Sequence, residues 1–292
     1  MAQFVVTTLD DVVDESDGVL SLREAIALAN DQAGTDEIVF DQALAGGLLR
    51  LTQGELEITD AVTIDGEDRD ITITGDALGN DILEPGTDIT DVMASRDADV
   101  LGDNSRIFNI TEIRATTNLV GLTLTGGYTG TSNSGFYDDT HSGGAIKSVW
   151  TVTLLDSSVA GNATGGDHAR GGAIHAKRIV ELEDSEISMN STFGDNAQGG
   201  AIFVYGGLDA ESSAIAENST FGFNSDGGGA FASYIRLLET DVTNNATHGD
   251  GSSGGGLYSF GRVVLVSSQI SENSASGRNS SGGGIGRASE IE

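Results

Sequence analysis

Basic side chains are scarce in this chain, 14 against 45 acidic ones. The densest group of them is Lys147, Arg170, His175, Lys177 and Arg178, with Asp167 and His168 in the stretch just before Arg170. Carboxylate or imidazole set among lysine and arginine is what proton abstraction beside a uronate carboxyl needs: a base for the proton and cations for the charge that develops. Lys147 and His175 have a positional argument as well. Each directly follows the apolar residue that closes a glycine-rich phrase, 143–146 or 171–174, so both are expected to point outward on one face, one repeat apart. Lys177 lies two residues further on. The pair could hold an anionic sugar. The same column, however, is expected to hold Phe203, Ala232, Tyr258 and Gly286, which make no chemical sense as a reaction centre. The reading is therefore that no residue is catalytic, that Lys147, His175 and Lys177 are weak candidates, and that parallel outward side chains form a shallow stripe without a pocket.

The elements that position these residues come from a repeat. Gly-Gly-Ala-Ile stands at 143–146, 171–174 and 199–202, followed by Gly-Gly-Ala-Phe at 228–231, Gly-Gly-Gly-Leu at 254–257 and Gly-Gly-Gly-Ile at 282–285. Between these phrases runs an asparagine column, Asn162, Asn190, Asn218, Asn245 and Asn273. Apolar residues keep fixed places before each asparagine: Val159, Ile187, Ile215, Val242 and Ile270 three back, and Leu154, Leu182, Ala210, Leu237 and Leu265 eight back. A period of this length marks a stacked array in which each unit buries its apolar face only against its neighbours. Apolar alternation such as Val152-Thr153-Leu154, with glycines that interrupt any helical run, selects strands. The expected fold is all-β: a parallel β-helix, or β-solenoid, of coils of about 28 residues. Its hand is expected to be right, the usual hand of parallel crossovers. Ile146, Ile174, Ile202, Phe231, Leu257 and Ile285 should then form one inward column.

A short capping helix should precede the coils. Ser21-Leu22-Arg23-Glu24 reads as a capping box, which starts a helix over 22–30 with Leu22, Ala25, Ile26 and Ala29 on its buried stripe and Arg23 on the far side. The expected organisation is an N-terminal cap over 1–50, irregular first coils over 51–127 with a loop or insertion at 76–106, and regular repeats over 128–292. Leu119 and Leu124 keep the later spacing ahead of Gly127. The coil begun at 282–285 lacks its apolar columns and asparagine, so the chain is expected to be the N-terminal piece of a longer protein, with Ile285 and Ile291 poorly covered and end-to-end self-association at that face.

Two motif sets resemble a known bacterial group. Leu20-Ser21-Leu22-Arg23-Glu24-Ala25-Ile26 is similar to the Cys-Ser-Leu-Arg-Glu-Ala-Ile motif of CSLREA-domain proteins, with Leu20 where the family has cysteine. The Gly-Gly-Ala-Ile repeats resemble those of right-handed β-helix surface proteins, the polymorphic outer-membrane proteins among them. The resemblance implies a large exported or surface-attached protein, often adhesin-like, and brings no catalytic residues. The expected function is thus a non-catalytic structural or adhesin-like segment, extracellular or at the cell surface. Its expected partners are a polysaccharide or a cell-surface protein. The alternative is a carbohydrate-active β-helix enzyme, a lyase or epimerase on acidic polysaccharide.

Composition narrows the partners further. A net charge of -31 repels nucleic acid and anionic membranes. No apolar window is long enough for a membrane span, and residues 1–4 lack the opening of a signal peptide. Cysteine is absent, which removes disulfides and thiolate metal sites. No cofactor is expected beyond weak surface calcium at Asp10-Asp11, the acidic residues of 14–17 or Asp138-Asp139. Thr164, Thr192, Thr220 and Thr247 complete Asn-x-Thr triplets that stacking, rather than glycosylation, explains. The same column is too narrow for a flat ice-binding array.

Overall fold

In a computed structural model, which describes residues 1–66, 69–79, 103–112, 116–130 and 139–292, the chain winds into a β-solenoid. It has about eight turns of about 28 residues, and its named strand pairs are parallel. A regular coil carries four strands, as in Ile146–Ser148, Thr151–Leu155, Ser158–Ala160 and Ala163–Thr164. Each pairs with its own equivalent one coil on: Ile146 with Ile174, Val152 with Val180, Val159 with Ile187, Thr164 with Thr192. The alternation that marked the strands sends every second side chain inward, where one continuous apolar core runs the length of the rod. Leu119 and Leu124 join it at the predicted rungs, opposite Leu154 and Val159.

One inward column differs from expectation. Ile202 pairs with Ala230, and Phe203 with Phe231; one coil on, Ala230 pairs with Leu257 and Phe231 with Tyr258. The inward column is therefore Ile146, Ile174, Ile202, Ala230, Leu257 and Ile285, while Phe231 faces outward and Ala232 inward. The phrase in that coil is Gly227-Gly228-Gly229-Ala230, one residue earlier than the side chains suggest. Backbone shape decides the frame. Gly227 has φ 73°, like Gly143, Gly171, Gly199, Gly254 and Gly282 at the same point of their coils. That left-handed conformation suits only glycine at low cost. The next glycine is required for a second reason: a Cβ on Gly172 would stand 2.2 Å from the carbonyl oxygen of Gly200.

The asparagine column is a buried hydrogen-bond ladder. The backbone N–H and the Nδ2 of Asn190 both donate to Oδ1 of Asn218, at 2.9 and 3.0 Å, and Nδ2 also donates to the Val159 carbonyl of the coil before. The same pattern joins Asn162 to Asn190, Asn218 to Asn245 and Asn245 to Asn273. At the first rung Gly127 stands in for asparagine and donates its N–H to Asn162 Oδ1.

The N-terminal helix α1 spans Leu22–Asp31, and its capping box is formed: Ser21 accepts from the Glu24 N–H while Glu24 accepts from the Ser21 N–H. Leu22, Ala25, Ile26 and Ala29 are buried. Parallel pairing reaches further toward the N-terminus than the expected cap boundary, because Gln3–Val6 already pairs with Asp36–Phe40. Arg23 differs more sharply from expectation. Its guanidinium holds the buried Asp11 carboxylate and donates to the carbonyls of Gly54 and Glu55, and so ties the helix to the first coil. A helical wheel shows only which face meets the core and cannot show that a neighbouring loop folds over the other face. Of the insertion expected at 76–106, residues 80–102 lie outside the described residues; its flanks meet in an antiparallel bridge between Asp76 and Asn104. At the other end Ile285 is half-buried beside Leu257, and Ile291 is exposed.

Two stability differences are expected. Asn218→Ala leaves the Asn190 N–H and the Ile187 carbonyl without their ladder partner, each worth about 1–3 kcal/mol, while Asn190 Nδ2 keeps the Val159 carbonyl, so urea denaturation should show a loss of about 2 kcal/mol or more; Asn273→Ala, in the last and half-buried rung, should cost clearly less. Arg23→Ala strands a buried carboxylate and should cost about 3 kcal/mol, more than the roughly 1 kcal/mol of Ser21→Ala. An Arg23 variant as stable as the parent would show that the tie to Asp11 carries no load.

Candidate functional site

The structure brings Lys147, His175 and Lys177 together, and it adds residues that no repeat pattern points to. Lys147 and His175 are register partners on the outward face of the first strand of successive coils. Across them, Asp139 accepts from Lys177 Nζ at 2.8 Å and stands 3.9 Å from Lys147 Nζ. Below, Arg106 pairs with Glu55 and donates to the carbonyls of Gly143 and Thr140, while Asn109, the register partner of Lys147, donates to the same Glu55. Above, the Arg170 guanidinium donates to Gln198 and to the Tyr205 hydroxyl and lies over the Phe203 ring. Arg106 ends the irregular segment and Asp139 lies outside the repeat phrases, so nothing in the spacing could single them out. Asp167 serves a turn at another corner, where its carboxylate accepts the Asp195 N–H, and His168 takes up the left-handed turn conformation there with φ 61°.

His175 was expected on the surface. It does point away from the apolar core, yet it is 0% exposed. Its ring is stacked against Phe203 at 5.5 Å and met edge-on by Tyr205 at 5.8 Å, and neither ring nitrogen has a hydrogen-bond partner. Burial pushes its pKa down to about 3, the cations Lys147, Lys177 and Arg170 push the same way, and Asp139 opposes them. The imidazole is neutral at neutral pH. It cannot be reached by a polymer, which removes the best candidate base. Lys147 is likewise lowered, by burial first and by Arg106 second, against the pull of Asp139. Burial would raise the Asp139 carboxyl, but the hydrogen bond from Lys177 and the nearby lysine charges hold it below its ordinary value. The cluster is a set of paired charges around a desolvated ring.

What continues from His175 is aromatic. Phe203, Phe231 and Tyr258 follow it up the rod, with ring separations of 5.1 and 5.0 Å along the latter three. A second stack, Phe193, Phe221 and His248, follows the Thr column at 4.9 and 4.7 Å. The Thr residues themselves are buried, and Thr164, Thr192 and Thr220 donate to the carbonyls of Ala169, Ala197 and Ser225. Neither a glycan on the buried asparagines nor an exposed threonine face fits this geometry.

On another side lies an acidic groove of about 630 Å³, lined by Asp156, Asp184, Glu186, Glu239 and Asp241 over a floor that includes Ser157, Ser185 and Ser213. Each serine hydroxyl there accepts the backbone N–H of the coil before, as Ser185 does from Ser157 and Ser213 does from Ser185. Among the described residues no group of three or more histidine or carboxylate side chains is placed to hold a metal ion. Of the acidic pairs considered for calcium, Asp11 is taken up by Arg23, Thr52 and Gln53, Asp139 by the two lysines, and Asp138 lies outside the described residues. No described helix is long and apolar enough to cross a membrane.

Fold and surface together define a parallel β-solenoid whose outward residues form ladders. The chain matches no family model, no curated protein and no solved structure.

The desolvated imidazole predicts a pH dependence. A base whose folded pKa is depressed leaves the unfolded chain with more bound protons between about pH 3 and 6.5, so stability falls as pH drops through that window. His175→Phe should keep the ring stack and remove this loss. The gap in Tm between pH 7.5 and pH 4.5 should narrow in the variant; an unchanged gap would show that His175 is hydrated.

Proposed function

We propose that this chain is a non-catalytic, rod-like binding segment of a large exported or surface-attached bacterial protein, adhesin-like and of the CSLREA β-helix kind. One observation carries the reading against catalysis. The core of the densest basic group among the described residues is closed on itself: His175 is buried and neutral, Lys177 is bound by Asp139, and Arg106 is held by Glu55 and two carbonyls. Proton abstraction needs a base and charge stabilisers within about 3 Å of one reacting atom. His175, the best candidate base, is buried away from any such atom. The family resemblance of the Leu20–Ile26 motif supports export, and the stiff, laddered rod suits display of repeated contacts along its length. A polysaccharide or a cell-surface protein is the partner class, and repeated weak contacts gain through avidity.

The competing reading, a lyase or epimerase on acidic polysaccharide, draws on the same Lys147, His175 and Lys177 cluster. The two part in one assay. Incubation with alginate and pectate, with and without calcium, should yield no unsaturated ends by ultraviolet absorbance and no epimerised residues by proton NMR. Turnover that disappears in Lys147→Ala or Lys177→Ala would establish the enzyme. For the surface role, proteolysis of intact cells that make the protein should remove it while a cytoplasmic marker survives; a protected chain would count against display.

A further inference from the structure

We infer that one corner of the rod is a binding seam for an extended anionic polysaccharide, lying parallel to the solenoid axis. This inference rests on the reading above as a binding segment and names its ligand class and surface. Where the first strand of each coil turns into the second, five successive coils each present one large planar group: Trp150, Arg178, Tyr205, Tyr234 and Phe260. Of the four aromatic side chains that are exposed among the described residues, three belong to this corner, Tyr205 at 45%, Tyr234 at 38% and Phe260 at 51%. The Arg178 guanidinium lies 4.4 Å from the centre of the Trp150 ring, and Arg287 lies 4.9 Å from that of Phe260.

Several constraints hold the groups in place. Tyr205 meets the rings of His175 and Phe203 edge-on and takes a hydrogen bond from Arg170. Phe260 meets Phe231 and Tyr258 edge-on in the same way. The inner aromatic stack thus stands as a wall against which the outer rings are fixed. Tyr234 packs over the backbone of Gly207, and Gly206 lets the chain pass so close that a Cβ would collide with the Arg178 carbonyl. Rings so fixed lose little freedom when a ligand lies on them.

Three features point to the ligand. First, successive coils rise by about 4.8 Å, on the scale of one sugar residue in an extended β-linked chain. Planar groups borne by successive coils offer apolar faces to pyranoses laid along the axis. Second, in a chain with net charge -31, Arg178 stands at one end of this corner and Arg287 at the other, and neither forms an ion pair among the described residues. Guanidinium suits a carboxylate in a planar, two-point contact. Third, the groove of Asp156, Asp184, Glu186 and Glu239 on another side repels a polyanion, while beside the corner Asp209 is paired with Arg236. A neutral glucan would make no use of the two arginines.

The chain provides its own reporter. Trp150 is the only tryptophan, and it stands at one end of the seam. Titration of the whole 292-residue chain with oligomannuronate, a β-linked uronate, should change its fluorescence saturably, while a neutral cello-oligosaccharide of equal length should not. Isothermal calorimetry then follows variants whose side chains are exposed. Phe260→Ala and Tyr234→Ala should each weaken binding roughly tenfold, the loss of a single anchoring contact. Arg178→Gln should do the same and reduce the salt dependence. Asp184→Asn, in the acidic groove, should leave affinity unchanged or slightly raised. No saturable change with the uronate, equal response to the neutral sugar, or full affinity in both Phe260→Ala and Arg178→Gln would overturn the seam. Any of these would leave the surface reading intact, which fails instead on turnover or on protection from surface proteolysis.

Discussion

Everything in this molecule depends on coils stacking in register at the strand-to-strand spacing, with each residue over its own equivalent. The tightest expression of that constraint is at the paired glycines, where Gly172 lies under Gly200 and Gly200 under Gly228 with room for no Cβ. Once the backbone is pinned at that point, the residues between have almost no freedom of register. A polar residue placed at one position must find its partner in the next coil, and the asparagine ladder does so with backbone and side chain at once. The serine ladder at the edge of the acidic groove follows the same rule with a hydroxyl in place of the amide. A slip of one residue would send the whole apolar set outward, so the two kinds of ladder and the core enforce one another.

The same constraint limits what the outer surface can do. Side chains in register point the same way and seldom converge, so an outward column makes a stack or a stripe. Like residues turn this into stability, as Phe203, Phe231 and Tyr258 do by lying face to face. Convergence requires residues from outside the repeat. Arg106 and Asp139 supply it near Lys147, and there the result is a neutralised cluster that encloses His175. Where a coil gains or loses a residue at a corner, the column is displaced sideways instead. The irregularity between Val204 and Gly207 is such a place, and there Tyr205 is released to the surface.

Charge is distributed by the same geometry. A carboxylate repeated every coil would repel its equivalents at close range, and this chain tolerates Asp156, Asp184 and Glu239 along one groove because each stands at a solvated turn with a left-handed backbone. Asp226, more enclosed, has its pKa raised to about 6 by burial, against the single backbone hydrogen bond from Ser253. Arg178 and Arg287 are placed differently, at the aromatic corner, where stacking on Trp150 and Phe260 orients them.

Much of this was legible in the sequence, because a solenoid writes its geometry as a period. The asparagine spacing, the apolar residues three and eight positions before it, and the Ser21 to Glu24 capping box each report a local or nearest-neighbour interaction, and each is found where the pattern puts it. What the pattern misplaced was decided by backbone shape or by chain that passes from elsewhere. Phe231 looked like the inward residue of its coil, but the left-handed glycine at Gly227 sets the frame and turns it outward. Arg23 looked idle on the far side of its helix until the loop bearing Asp11 closed over it. His175 looked like a surface residue because its column is outward, and only the packing of Phe203 and Tyr205 against it shows that it is dry. A repeat determines which residues share a column; which columns are covered, and which end up side by side at a corner, follows only once the coils are wound.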